Sequence, residues 1–436
     1  MMDSVLFFLL LVAASLLGVF LGTLTGLVPG FHPNNLAFIL LSVTPMIRAD
    51  SNAIPVDTLL LLIASTILAA SVANTFLNFI PTAFIGAPED DTALSLLPAH
   101  RLLLEGRAYE ATVLSALGSF GAVIFSFLFI VPFYLIFAAL HVYELLRSLM
   151  LYLLIGISAV LILTESFSER MEAYQAILLS CFVFILSGFF GLMILNMPVY
   201  SPFPFRSTML FPALTGLFGL SAILFSLLYT PQIPMQRIEE PVLEKGSVLK
   251  SVISGSVFGT VVSILPGITS AHATVMAMLA RRTREPEQVI MTLSGVNTAD
   301  VIFCLVGLFI IARARSGTTI AISRLLAVTP WEGFIPPSAL IYLLIVALIA
   351  APCSFFITKY MGKQFSLQFA RLPYRVVMSG IVVFLTVLVL LFTGPLGLLV
   401  LLVGTLIGLI PIYLGVRRST CMGVLLVPII VLLWRI

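Results

Sequence analysis

Apolar residues fill most of this chain in runs of about twenty, cut by short polar turns. A helix of that length spans the hydrocarbon core of a bilayer. The runs lie at 5–27, 58–79, 111–140, 146–163, 173–195 and 209–228, then at 252–280, 289–312, 335–357, 376–392, 396–414 and 422–433. The stretch 231–250 separates the two sets. It holds Pro231, Pro234, Pro241, three acids and three bases. The expected fold is an all-α polytopic membrane protein. A first repeat covers 1–230 and a second covers 251–436, with about six membrane segments each. Leu36 to Pro45 is apolar but too short to span, so it reads as the second part of a broken helix or as a re-entrant leg. Leu94 to Ala108, with His100, Arg101, Glu105 and Arg107, is amphipathic and expected at a surface.

The first run carries Gly18, Gly22, Gly26 and then Pro29-Gly30. The stretch Gly255, Gly259, Ser263 and Pro266-Gly267 aligns with it without a gap, 237 residues on. Pro removes a backbone donor and Gly admits positive φ, so a helix can stop here and restart. The freed backbone groups need protein, water or ligand partners, because lipid offers none. Two such breaks in matching places point to a substrate site built from broken helices. Five residues past each Gly stands a polar side chain, Asn35 or His272. A second correspondence joins Ser71, Asn74 and Thr75 to Ser294, Asn297 and Thr298, which puts Leu77 at the place of Asp300.

Composition narrows the class. Of 436 residues, 60% are hydrophobic and 9% charged, against about 25% charged in soluble domains. Mean hydropathy is +1.18. The net charge of +3 is spread over short loops and offers nucleic acid no basic run. Val5 to Leu27 lacks a basic leader and a cleavage site, so it reads as a retained helix. Cys181, Cys304, Cys353 and Cys421 are isolated in apolar runs and read as buried thiols, not as disulfides or metal ligands. Basic residues stay near the cytoplasm. That would place the linker, the Lys359–Arg375 loop and the Arg417-Arg418 turn inside, with the N-terminus outside and the repeats inverted.

Each polar feature has a functional and a plain reading. Asn74, Thr75, Asn297 and Thr298 could bind an ion or an anion, or could hold helices together. Asp300 is the carboxylate deepest in an apolar run, a place where ionisable groups are costly and functional by default. A pair with Arg313 or Arg315 is the alternative. At 13 and 15 residues along a helix these would lie roughly 20 Å away unless the chain bends back. Arg313 and Arg315 could hold an anion or snorkel to the interface. Glu89-Asp90-Asp91 could recruit a cation or be solvated. Arg281 to Arg284 reads as a topology signal with contact to anionic lipid. Motifs for hydrolases, metalloproteases and nucleotide binding are missing, so no enzyme activity, metal or cofactor is expected beyond Na+ or H+ as a coupling ion.

The chain resembles the TctA family, the large membrane subunit of tripartite tricarboxylate transporters. The resemblance rests on Leu27-Val28-Pro29-Gly30, Phe84-Ile85-Gly86-Ala87-Pro88, Leu97-Pro98-Ala99-His100, Glu105-Gly106-Arg107-Ala108-Tyr109-Glu110-Ala111, Leu117-Gly118-Ser119-Phe120-Gly121 and Ile264-Leu265-Pro266-Gly267. Ile268 to His272 is poorer in glycine than the family pattern, and His32-Pro33-Asn34-Asn35 is unusual in it. With the compact loops, this is similar to a divergent archaeal branch. The resemblance implies a multi-pass cell-membrane protein that imports a small organic anion of carboxylate type by symport. It also implies a small membrane subunit and an extracytoplasmic binding protein as partners, beside membrane lipid. The chain admits a homo-oligomer. Expected substrate-binding residues are Pro29, Gly30, Asn35, Asn74, Thr75, Pro266, Gly267, His272, Asn297 and Thr298. Asp300 is expected in ion coupling, with Arg313 and Arg315 as anion contacts. Broken Pro-Gly helices also resemble polyprenyl-phosphate carriers, the alternative reading.

Overall fold

A computed structural model describes residues 4–28, 33–50, 54–85, 92, 96–139, 142–163, 172–195, 197–198, 208–229, 234–242, 244–264, 270–281, 285–333, 335–369, 374–416 and 418–434. Among these residues there is helix and no strand. The order is α1 (Ser4–Leu27), α2 (Pro33–Asp50), α3 (Val56–Leu77), α4 (Leu96–Leu104), α5 (Ala108–Tyr134), α6 (Val142–Leu163), α7 (Ala173–Leu195), α8 (Leu210–Leu214) and α9 (Ser221–Tyr229). Then come α10 (Lys245–Val262), α11 (Ser270–Arg281), α12 (Pro286–Ile311), α13 (Gly317–Leu325), α14 (Ser338–Phe369), α15 (Tyr374–Leu414) and α16 (Gly423–Trp434). Wide π-type turns follow α3 at Pro81–Ile85, follow α5 at Leu135–Ala139 and join α8 to α9 at Thr215–Leu220.

Seven described helices are long and apolar enough to cross a membrane, and three shorter apolar ones accompany them. Leu36–Pro45 belongs to the 18-residue α2. The two expected runs at 376–392 and 396–414 form one element, α15, interrupted at Gly394 (φ 70°, ψ −167°) just before Pro395. The Pro-Gly pairs 29–30 and 266–267 lie outside the described residues, between α1 and α2 and between α10 and α11. Helices therefore end before each break and restart after it. α4 keeps its amphipathic character: Ala99, Leu102 and Leu103 are buried while Arg101 is 66% exposed. The four cysteines are free thiols.

α3 and α12 are the most enclosed of the spanning helices. α1 lies along α3, and α10 lies along α12. Glycine explains how closely they approach, because small residues let membrane helices meet backbone to backbone. A Cβ on Gly18 would stand 2.5 Å from the Thr66 carbonyl oxygen, and one on Gly22 2.3 Å from that of Ala70. In the second pair the same test gives 2.4 Å from Gly255 to the Thr292 oxygen and 2.5 Å from Gly259 to that of Val296. The packed residues are thus related by 226 positions on α3 and α12, against 237 for the glycines. This corrects the sequence correspondence by almost one turn: Asn74, not Leu77, occupies the place of Asp300, and Asn78 that of Cys304.

The hydrophobic cores cross the linker. One joins α1, α3 and α5 to α12, α13 and α14; another joins α6 and α7 to α15 and α16. The linker itself is tied down. Gln236 accepts from the Ala108 N–H and donates to the Leu103 carbonyl, and the Arg237 N–H donates to Gly106 O. Glu240 takes Tyr109 Oη at 3.1 Å and Lys359 Nζ at 2.7 Å. Arg107, from the Glu-Gly-Arg motif, grips Glu110 with two bonds of 2.7 Å and Glu287 on α12 at 2.7 Å. That motif is a clamp between the two halves.

Candidate functional site

Many hydroxyls in these helices bond to their own preceding turn and carry no cross-helix information. Several exceptions gather where the last turn of α3 faces the middle of α12. Thr298 donates to Thr75 Oγ1 at 2.9 Å, and Thr75 donates on to the Val72 carbonyl. Ser119 on α5 reaches the Ser294 carbonyl at 3.3 Å, while Ser115 and Ser294 share a 2.8 Å bond. Thr75 and Thr298 are therefore brought together, as the helix-joining reading expects. Asn74 donates to Thr25 Oγ1 at 3.3 Å, near the end of α1. Asn297 is buried at 3% exposure and makes no side-chain hydrogen bond among the described residues.

The environment of Asp300 departs most from a straight-helix reading. α12 ends at Ile311, and Ala312 takes the left-handed conformation (φ 54°, ψ 30°). The chain turns back along its own helix, and Arg315 Nη1 donates to Asp300 Oδ1 at 3.1 Å. The estimate of some 20 Å fails because the helix stops well short of residue 315. The same Nη1 donates to the Val262 carbonyl, the last residue of α10. The carbonyl end of a helix attracts a cation, and at this break Arg315 supplies it. Cys304 donates to both Asp300 and the Ser263 carbonyl. Arg313 lies outside any helix.

Two helix starts converge beside this pair. Ser316 caps α13 by accepting from the Thr319 N–H. Asn34, in the first turn of α2, accepts from the Thr318 N–H at 3.0 Å, and Thr318 Oγ1 reaches Ser71 Oγ at 3.4 Å. Asn35 is buried at 6% exposure in the same turn of α2. First-turn N–H groups lack helical partners and carry the positive end of the dipole. Arg315 and Asp300 offset each other's charge here, and the Thr318 and Thr319 N–H groups are met by Asn34 and Ser316. The region lies at the α2–α13 junction, next to the end of α10. His272 falls in α11, and its side chain lies outside the described residues, as do Pro29, Gly30, Pro266, Gly267, Glu89 to Asp91 and Arg282 to Arg284.

Two residues stand out that the sequence reading did not select. Asn78 is 3% exposed, and both ends of its amide are buried without a partner. It sits against Gly26 at the end of α1. Buried amides are nearly always bonded, and this one is an exception among the described residues. Its only sequence signal is its place one turn past Asn74. Arg418 is 7% exposed and donates to the Phe218 carbonyl and Ser221 Oγ at 3.3 and 3.4 Å. No carboxylate among the described residues pairs with it. Its burial removes it from the charges that could mark a cytoplasmic face. Burial and this guanidinium together push the His100 imidazole down to about 4.

Seven helices long and apolar enough to span a bilayer, packed around buried polar side chains, define a multi-pass membrane protein. The chain belongs to the tripartite tricarboxylate transporter TctA family, whose model matches residues 12–423. It is 32% identical over 315 residues to the uncharacterized protein MJ1079 of the archaeon Methanocaldococcus jannaschii, covering 71% of this chain and 72% of that one. No solved structure matches it. Family membership makes the chain a cell-membrane component of a tricarboxylate-type transporter.

Proposed function

We propose that this protein is a secondary active transporter for a small organic anion of carboxylate type, coupled to a Na+ or H+ gradient. The observation that carries the reading is the Arg315–Asp300 pair beside the starts of α2 and α13. A substrate carboxylate entering there competes for the guanidinium and the first-turn N–H groups. Asp300 then loses its cation and recruits Na+ or a proton. Charge stays balanced in both states, which matters where an unpaired buried charge costs several kcal/mol. Anion and cation thus favour each other's binding, as symport requires. Asn297 and Asn78 supply amide oxygens to the ion and N–H groups to the anion. Asn35, Asn74 and His272 flank the breaks at Pro29-Gly30 and Pro266-Gly267. A small membrane subunit and an extracytoplasmic binding protein complete the assembly, as the family description suggests.

The test is ligand stabilisation of the purified protein. Saturation at 100 times Kd adds about 2.7 kcal/mol. Di- and tricarboxylates should raise the melting temperature more in Na+, or at lower pH, than without the ion. Arg315→Met should abolish that mutual dependence. Stabilisation that ignores both Na+ and pH would sink the coupling, and stabilisation by polyprenyl phosphate alone would favour the lipid-carrier alternative. The inverted orientation makes its own demand: cysteine labelling in cells should find residue 3 outside and residue 245 inside.

A further inference from the structure

An open cavity of about 600 Å³ lies between the start of α10, the end of α11 and the start of α12. One stripe of α10 forms its wall: Gly246 and Ser247, then Lys250, then Ile253 and Ser254. Arg281 and Gln288 close the opposite side. The site shares no residue with the transport site proposed above.

Its chemistry is that of an anion seat. The Glu244 side chain does not cap α10, and the Ser247 N–H donates to the Glu244 carbonyl, so the Lys245 and Gly246 N–H groups are the ones left at the start of the helix. Those groups and the helix dipole favour a phosphate. Arg281 spends three donor bonds on neutral oxygens: Ser251 at 2.6 Å, Thr292 at 3.2 Å and Gln288 at 2.6 Å. No carboxylate pairs with it or with Lys250 among the described residues. Glu285 is near, but its carboxylate accepts the Gln288 amide. Ser254 Oγ is buried and has no partner. Glu244 lines the rim and is the one acid facing the cavity.

The shape of the surface says which anion. Leu249, Ile253 and Val257 recur every fourth residue on α10 and are 60%, 42% and 37% exposed. In a membrane protein this apolar ridge faces acyl chains. Ile253 belongs to both the ridge and the cavity, so the polar seat opens directly onto the lipid-facing stripe. A free anion would use the seat alone, whereas a molecule with a charged head and a hydrocarbon tail uses both. From this we infer that the cleft between α10, α11 and α12 is a binding site for an anionic phospholipid, with its phosphate between Lys250, Arg281 and the first turn of α10 and an acyl chain along Leu249, Ile253 and Val257.

The experiment uses the full-length protein in maltoside micelles, titrated with dioleoylphosphatidylglycerol, dioleoylphosphatidylcholine or inorganic phosphate. Melting temperature and native mass spectrometry are the readouts. Phosphatidylglycerol should give a saturable rise in melting temperature and a retained adduct; the other two should give neither. Lys250→Gln should weaken phosphatidylglycerol about fivefold, from the roughly 1 kcal/mol per surface base toward anionic lipid. Ser254→Leu, which fills the wall without touching charge, should weaken it at least as much. Arg281→Gln is a poorer probe because it also breaks the bonds to Ser251 and Thr292. Equal stabilisation by phosphatidylcholine would overturn the site, as would unchanged affinity in both Lys250→Gln and Ser254→Leu. Stabilisation by inorganic phosphate alone would overturn the lipid assignment.

Discussion

The α1–α3 and α10–α12 pairs are built on one plan and differ in charge. Each sets glycines against backbone carbonyls at matching depth. At the corresponding place beyond that contact, the first pair has a neutral bond from Asn74 to Thr25. The second has a charged bond from Arg315 to Asp300 and to the end of α10. The tails that follow differ in the same sense. Glu89-Asp90-Asp91 stands in the first half where Arg313 and Arg315 stand in the second. The shared glycine packing thus carries a neutral contact in one pair and a charged one in the other.

The sharpest way to break this comparison is to remove one partner of the charged pair. Arg315→Met removes the guanidinium bonded to Asp300 and should cost about 3 kcal/mol, the lower end for breaking a buried ion pair, because both side chains keep some water access. Transport in proteoliposomes should be lost. Asp300→Asn should keep the fold and lose the Na+ or pH response of uptake. Transport with that response unchanged would take Asp300 out of the mechanism. Asn74→Leu, at the matching place in the first half, should cost less, about 1 kcal/mol for its hydrogen bond.

Acid should act on the first half through His100. Its ordinary value of 6.5 drops to about 4 in the fold because of burial, with Arg418 adding repulsion. Above pH 6.5 the imidazole is neutral in both states and nothing is lost. Between 6.5 and 4 the unfolded chain takes the proton first, so stability falls by about 1.4 kcal/mol per unit. The loss is complete below pH 4, at roughly 3 kcal/mol. Denaturation midpoints across this window should show the slope, and His100→Gln should flatten it.

If the glycine contacts set the register, Gly22→Leu and Gly259→Leu should hurt alike. Each forces a side chain into a carbonyl already 2.3 or 2.5 Å from the Cβ position. Overpacking of this kind costs about 1–3 kcal/mol. Thermal unfolding that spares one of the two variants would deny the equivalence. The smallest effect belongs to the bond between the halves. A double-mutant cycle with Thr75→Val and Thr298→Val should give a coupling near 0.6 kcal/mol, typical for hydrogen bonds between membrane helices. A value near zero would mean the two hydroxyls serve a ligand more than each other.

Apolar run length alone revealed an all-helical membrane protein, since a bilayer demands about twenty apolar residues per span and internal backbone bonds. The Pro-Gly spacing marked where two helices stop, because that effect is local to a few residues, whereas the pairing of α1 with α3 and of α10 with α12 came from the fold. The polar residues of α3 and α12 were visible as exceptions in apolar runs. Three further matters were settled only by the tertiary structure. Matching by residue type set Asn74 opposite Asn297, whereas packing sets it opposite Asp300, since a slip of about one turn leaves the helix face nearly unchanged. Helical spacing put Arg315 far from Asp300, but spacing measures distance only while the helix lasts, and Ala312 ends it. Asn78 and Arg418 looked like any polar residue near an apolar run. Their interest lies in what surrounds them, and unmet hydrogen bonds and absent counter-charges are properties of neighbours that sequence order does not bring together.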